Sequence, residues 1–151
     1  MTVIGIDPGK AGSVSFFSAD WLHVEKLPQD ARELLWLLRE YSATEEITAA
    51  YLEQIYLPTG KAGALTFASG WGKIIAVLEI LGLEHVKVRP QVWMKALDCL
   101  TKGDKNVTKA KAKELFGHVV YDDGKKVPIT HWSSDGLLIG YYGYLQEGGE
   151  L

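Results

Sequence analysis

The sequence predicts an α/β layer architecture, and three observations carry that expectation. Short apolar runs rich in β-branched residues open the chain and recur at 47–52 and 85–89, the mark of strands buried in a sheet. Longer stretches at 28–41 and 60–82, and others in the last third, have apolar residues at helical spacing. The resulting order is three strands, helix, strand, helix, strand and then helices, which describes packed layers rather than a barrel or a bundle. With 151 residues and no repeat or low-complexity segment, a single domain over 1–151 is expected. It is large enough to bury a core without disulfides or a structural metal.

Residues 2–6 include Val3, Ile4 and Ile6, so the first strand is expected to be buried on both faces and to deliver Asp7 where the sheet meets solvent. Pro8, Gly9 and Gly12 then reverse the chain into a second strand at 13–17. Asp7 is there either an acid placed to hold a metal or the turn residue of an ordinary hairpin. After the Ala19-Asp20 turn, 21–27 forms a third antiparallel strand and completes a meander. Pro28 opens a helix whose stripe is Leu34, Leu35, Leu37 and Leu38, running to about Tyr41. The strand at 47–52 ends in Glu53, a second carboxylate at the C-terminal end of an apolar run. In the long helix over 60–82, Ala64, Ala68, Gly72 and Ala76 fall four apart on one face. That face packs either on the sheet or on a second copy of the chain. A strand at 85–89 is stopped by Pro90, and a short helix follows at 92–97. A polar loop at 101–106 leads into a helix over 107–116, and another at 121–128 precedes the last helix, 130–145, and a frayed tail.

The single Cys99 excludes an internal disulfide, and no Cys/His cluster has zinc-finger spacing. A reducing compartment, by default the cytoplasm, is expected. The first residues lack the basic and long apolar regions of a secretion signal. No stretch reaches the ~20 apolar residues of a membrane span, because Lys61, Thr66, Ser69 and Lys73 interrupt the best one, so no membrane partner is expected. A net charge of −3 argues against coating nucleic acid over the whole surface. Yet residues 87–126 hold ten Lys/Arg against five Asp/Glu, and the remainder six against fourteen. That basic zone is either a solvated face or a phosphate-binding one.

The last helix supplies a third acid. His131 and Asp135 are four apart and share a helix face, while Leu138 and Ile139 can bury against the sheet. Two strand ends and one helix start can therefore bring Asp7, Glu53, Asp135 and His131 to one point. Three crowded carboxylates repel each other and need a counter-ion, and oxygen-rich sites with open positions suit Mg²⁺ or Mn²⁺. A pair of such ions about 4 Å apart can activate water and stabilise the leaving oxygen in phosphodiester hydrolysis.

Four motifs, GIDPGKAGS at 5–13, YLEQIY at 51–56, RPQVWMKAL at 89–97 with the Lys-rich loop and helix after it, and HWSSDGLLIG at 131–140, together resemble the RuvC-type Holliday junction resolvases of the ribonuclease H-like superfamily. They span nearly the whole chain in the family's order. The resemblance implies a ribonuclease H-like fold, a mixed five-stranded sheet with helices on both faces. It also implies a centre of two Mg²⁺ ions, with Mn²⁺ able to substitute. Asp7 would bridge both, Glu53 would complete one side, and Asp135 with His131 the other. Cellular members usually place the partner of the final Asp three residues before it. Here that residue is Trp132, which cannot bind a metal, so His131 is the expected ligand; its other reading is a solvent-facing or capping residue. Lys105 matches a family lysine near the scissile phosphate, where its charge can stabilise the transition state.

By the same resemblance Tyr56 holds the place of an aromatic that stacks near the crossover, its alternative being core packing. Arg89, Lys102, Lys109, Lys111 and Lys113 join Lys105 as candidate phosphate contacts, which position DNA without specifying sequence. The implied activity is that of a homodimeric, Mg²⁺-dependent endonuclease. It would bind four-way junctions by shape and nick two strands of like polarity symmetrically, leaving 5′-phosphate and 3′-hydroxyl ends. A two-fold dimer through the 60–82 helix would supply the two sites. The lack of long accessory regions fits a phage-encoded version acting in the host cytoplasm. Rival readings are another ribonuclease H-like nuclease acting on flaps, forks or RNA–DNA hybrids, a catalytically silent junction-binding module, and a nucleotide-binding module of the actin and sugar-kinase type. The last needs a second domain for which this chain lacks the length.

Overall fold

The computed structural model describes residues 1–56, 60–121 and 123–150; Asp122, in the second polar loop, lies outside them. Five strands, β1 (Thr2–Asp7), β2 (Ser13–Phe17), β3 (Leu22–Lys26), β4 (Ile47–Glu53) and β5 (His85–Val88), form one sheet in the order β3-β2-β1-β4-β5. β1, β2 and β3 pair antiparallel, while β1, β4 and β5 run parallel. The antiparallel joins are short turns. Each parallel join needs a crossover, and α1 (Ala31–Ser42) and α2 (Ala64–Ile80) provide them. α3 (Pro90–Ala96), α4 (Lys105–Phe116) and α5 (Ser134–Gln146) follow.

Alternation along β1 and β4 divides the core in two. Ile4, Ile6, Ala50 and Leu52 face Leu34 and Leu38 of α1 and Ile74, Val77 and Leu78 of α2. Val3, Ala49 and Tyr51 face Trp93, Phe116, Leu137 and Leu138 from α3, α4 and α5. Helices thus cover both faces of the sheet. By the same period of two, Asp7 and Glu53 point to the α5 side.

Capping sets several helix ends differently from the sequence expectation. α1 starts at Ala31 rather than Pro28, because Asp30 accepts hydrogen bonds from the amides of Arg32 (2.8 Å) and Glu33 (3.4 Å). Pro90 is the first residue of α3, not a gap before it, since its fixed φ and missing N–H suit that position. Asp104 accepts from the Asn106 amide at 2.9 Å, which starts α4 at Lys105 rather than 107. α2 is shorter than 60–82: Gly63 caps it at a φ of 84° and Gly82 ends it at 66°, angles that favour glycine. It meets the sheet through Ile74, Val77 and Leu78 and leaves Ala68, Gly72 and Ala76 exposed. The small-residue strip therefore does not pack on the sheet.

α5 lies closer to the sheet than side chains would permit. A Cβ on Gly136 would sit 2.2 Å from Ser13 Oγ, and one on Gly140 would sit 2.3 Å from Ser15 Oγ and 2.8 Å from Phe17 Cδ2. Ser15 uses the approach to donate to the Gly136 carbonyl at 2.6 Å. This glycine seam fixes the depth of α5 and brings Asp135 to the end of the sheet where Ser13 pairs with Asp7. Replacing Gly140 by Ala is expected to destabilise the fold by about 1–3 kcal/mol through overpacking, measurable by urea unfolding. No described helix is long and apolar enough to cross a membrane.

Candidate active site

The acids meet at one end of the sheet. Asp7 and Glu53 each lie one residue past the paired Ile6 and Leu52 of adjacent parallel strands, so the parallel register places the two side by side. Asp135 stands in the first turn of α5, where the helix N-terminus favours negative charge. Asp7 and Glu53 are 8% exposed and Asp135 2%, a degree of burial at which charged carboxylates need compensation. Burial pushes the Asp7 carboxyl well above its ordinary range; Glu53 and Asp135 push it further, and Lys105 opposes them. Glu53 is pushed up to about 7, chiefly by burial, against which its hydrogen bond from Trp93 works.

Lys105 is the counter-charge that the chain itself supplies. Its ammonium donates to Asp135 Oδ2. Burial alone would lower the Lys105 pKa, but that bond and the charges of Asp135, Asp7 and Glu53 raise it overall. Asp135 Oδ1 is buried and has no hydrogen-bond partner among the described residues. Glu53 is held by two tryptophans. The Trp93 indole donates to Oε2 at 2.9 Å, and the Trp71 indole donates to the Glu53 carbonyl at 3.2 Å. Neither tryptophan stands out in the sequence, where both read as apolar helix residues; only the packing of α2 and α3 beside the end of β4 shows their role.

As placed, no three acidic, histidine or cysteine side chains among the described residues converge tightly enough to hold an ion. The donor chemistry nonetheless fits a hard divalent cation: three carboxylates whose charges bear on one another, one with an orphaned buried oxygen, are ligands of the kind such ions take. Asp7, Glu53 and Asp135 are the residues that would hold it.

His131 departs from expectation. α5 begins at Ser134, so His131 lies exposed in the turn before the helix, a turn closed by the Ser134 amide on the Thr130 carbonyl at 3.1 Å. Hydroxyls build that turn: Ser133 Oγ accepts from the Thr130 amide at 2.9 Å and donates to the Pro128 carbonyl. With Thr130 Oγ1 accepting from the Trp132 amide at 3.3 Å, the two hydroxyls cap this turn reciprocally.

Tyr56 is 90% exposed, which rules out core packing. With Arg89, Gln54 and Gln91 it lines a cleft of about 480 Å³ that reaches Glu53. Lys102 is exposed in the loop before α4. Lys105, Lys109 and Lys113 recur every fourth residue along α4 and share a face. Lys111 points elsewhere and is paired with Glu114 at 3.0 Å.

Two solved structures from Thermus thermophilus are similar to this chain over nearly its full length. One is RuvC, with a TM-score of 0.59, and the other is RuvC in complex with a Holliday junction substrate, at 0.63. Each is 18% identical, with 98% of this chain and 97% of that chain covered. The chain has the RuvC fold. The expected mixed sheet with helices on both faces is that ribonuclease H-like architecture. No protein-family model matches the sequence, and none of the curated proteins is detectably similar to it.

Proposed function

We propose that this protein is a structure-selective DNA endonuclease that resolves four-way junctions by metal-dependent phosphodiester hydrolysis. One observation carries the reading: three buried carboxylates and a lysine converge at the end of a RuvC-like sheet. In the reaction the oxygen of water bonds to phosphorus, the bond to the 3′ oxygen breaks, and the ends left are a 5′-phosphate and a 3′-hydroxyl. Mg²⁺ or Mn²⁺, when bound, supplies Lewis acidity at the scissile phosphate. Asp7, Glu53 and Asp135 give that charge its place. Lys105 then leaves Asp135 and turns its ammonium to the phosphate oxygens, where a fixed positive charge favours the transition state. His131, exposed outside α5, has no part in this account.

Exposed Tyr56 offers an aromatic face to an unstacked base next to Glu53, and Arg89, Lys102, Lys109 and Lys113 offer charge along the backbone. The exposed strip of α2, flanked by Leu65 and Ile80 at 84% and 65% exposure, supports pairing with a second copy, which would present two sites related by symmetry. The reading is tested by offering the protein a synthetic four-way junction, a replication fork and a linear duplex in Mg²⁺. The junction is expected to be cut in preference to both. Equal cutting of the linear duplex would overturn the resolvase reading, and preference for the fork would favour a different ribonuclease H-like nuclease.

A further inference from the structure

We propose that Trp93 is the positioning residue that makes Glu53 the fixed carboxylate of the site, an inference that rests on the nuclease reading above. Trp93 is fully buried in α3, and its indole N–H has one partner, Glu53 Oε2, at 2.9 Å. An indole donates one hydrogen bond, accepts none and does not ionise. It therefore holds the carboxylate in one orientation, and it can stay in place when the other oxygen takes a ligand. The backbone of the same residue is pinned from the opposite face of the sheet. Trp71 of α2 donates to the Glu53 carbonyl at 3.2 Å, and the next amide, Gln54, donates to the Val88 carbonyl at 2.7 Å. Asp135 differs: its bonded partner is Lys105, a flexible side chain that is 56% exposed and has to move before Asp135 Oδ2 can take a metal. The site thus pairs a carboxylate set in advance by tryptophan with one that is released by lysine.

Two substitutions separate this role from plain packing. Trp93→Phe keeps most of the buried ring and removes the N–H; Trp93→Gln keeps an N–H donor and loses the ring. Four properties are measured for each: thermal melting, junction affinity, Mn²⁺ affinity by calorimetry on the DNA-free protein, and single-turnover cleavage. Trp93→Phe is expected to melt somewhat below the parent, through the void beside the smaller ring and the unpaired Glu53 Oε2, and to bind junctions as the parent does, while Mn²⁺ affinity and cleavage fall by roughly 10- to 100-fold. Trp93→Gln is expected to melt lower than Trp93→Phe yet to cut faster, so the ranks for stability and activity cross. A Phe variant that binds Mn²⁺ and cuts like the parent would overturn the proposal, as would losses that simply follow the melting temperature. A parent protein that cuts no branched DNA would remove the nuclease reading, and the Mn²⁺ titrations would still decide what Trp93 does for Glu53.

Discussion

Replacing Asp7 by Asn is expected to lower junction cleavage by more than ~10²-fold, as loss of a central electrostatic group does, while leaving junction binding intact and raising the melting temperature. Asn has nearly the shape of Asp, so the end of β1 and its pairing with Ser13 should survive. What disappears is a carboxylate whose pKa is driven up by burial and then by Glu53 and Asp135. The folded protein gains from that loss, because a buried carboxyl under repulsion is replaced by a neutral amide; catalysis is expected to lose the carboxylate on which both Glu53 and Asp135 act. Cleavage, gel-shift and melting assays on one preparation check all three effects. Full cleavage by the Asn variant would remove Asp7 from the centre of the mechanism, and a lower melting temperature would show that the repulsion is compensated by other groups.

In the absence of divalent cations, stability is expected to fall as pH rises from about 4.5 towards 7. Glu53 has an ordinary value of 4.5 and is pushed up to about 7 in the folded protein, chiefly by burial. Between those values the folded state holds a proton that the unfolded state has released, so raising the pH favours unfolding, by an amount on the order of a few kcal/mol. Asp7 is shifted in the same direction from an ordinary value of 3.8 and adds to the fall. Mg²⁺ or Mn²⁺ should reverse it by mass action, and more at pH 7 than at pH 5, because ligating carboxylates must first lose their protons. Melting curves across this range, with and without Mn²⁺, measure the effect. A melting temperature indifferent to both pH and Mn²⁺ would mean that the acids are not coupled as the geometry indicates.

The positions of Asp7 and Glu53 were legible because each ends an apolar run, and parallel pairing of two such runs leaves little choice about where their ends meet. Asp135 was legible for a related reason: it opens the last apolar helix, and Gly136 and Gly140 let that helix descend onto β1 and β2. His131 lies in the turn before α5 rather than within it, because helical spacing says which residues share a face only once the start of the helix is known, and Thr130 and Ser133 cap a separate turn there. The roles of Trp93 and Trp71 are not legible in the sequence because a buried aromatic reads as core; that both donate to Glu53 depends on helices from opposite faces meeting at one strand end. For Tyr56 and the strip on α2 the sequence left two readings open, and exposure decides each against packing in this chain's core.

The most direct measurement maps the cuts in a four-way junction with each strand end-labelled in turn, in Mg²⁺ and in EDTA. Paired nicks at symmetric positions in two strands of like polarity, 5′-phosphate ends, and no cutting in EDTA are expected. Unpaired cuts scattered along the arms would overturn symmetric resolution, and cleavage that persists in EDTA would overturn the dependence on a metal.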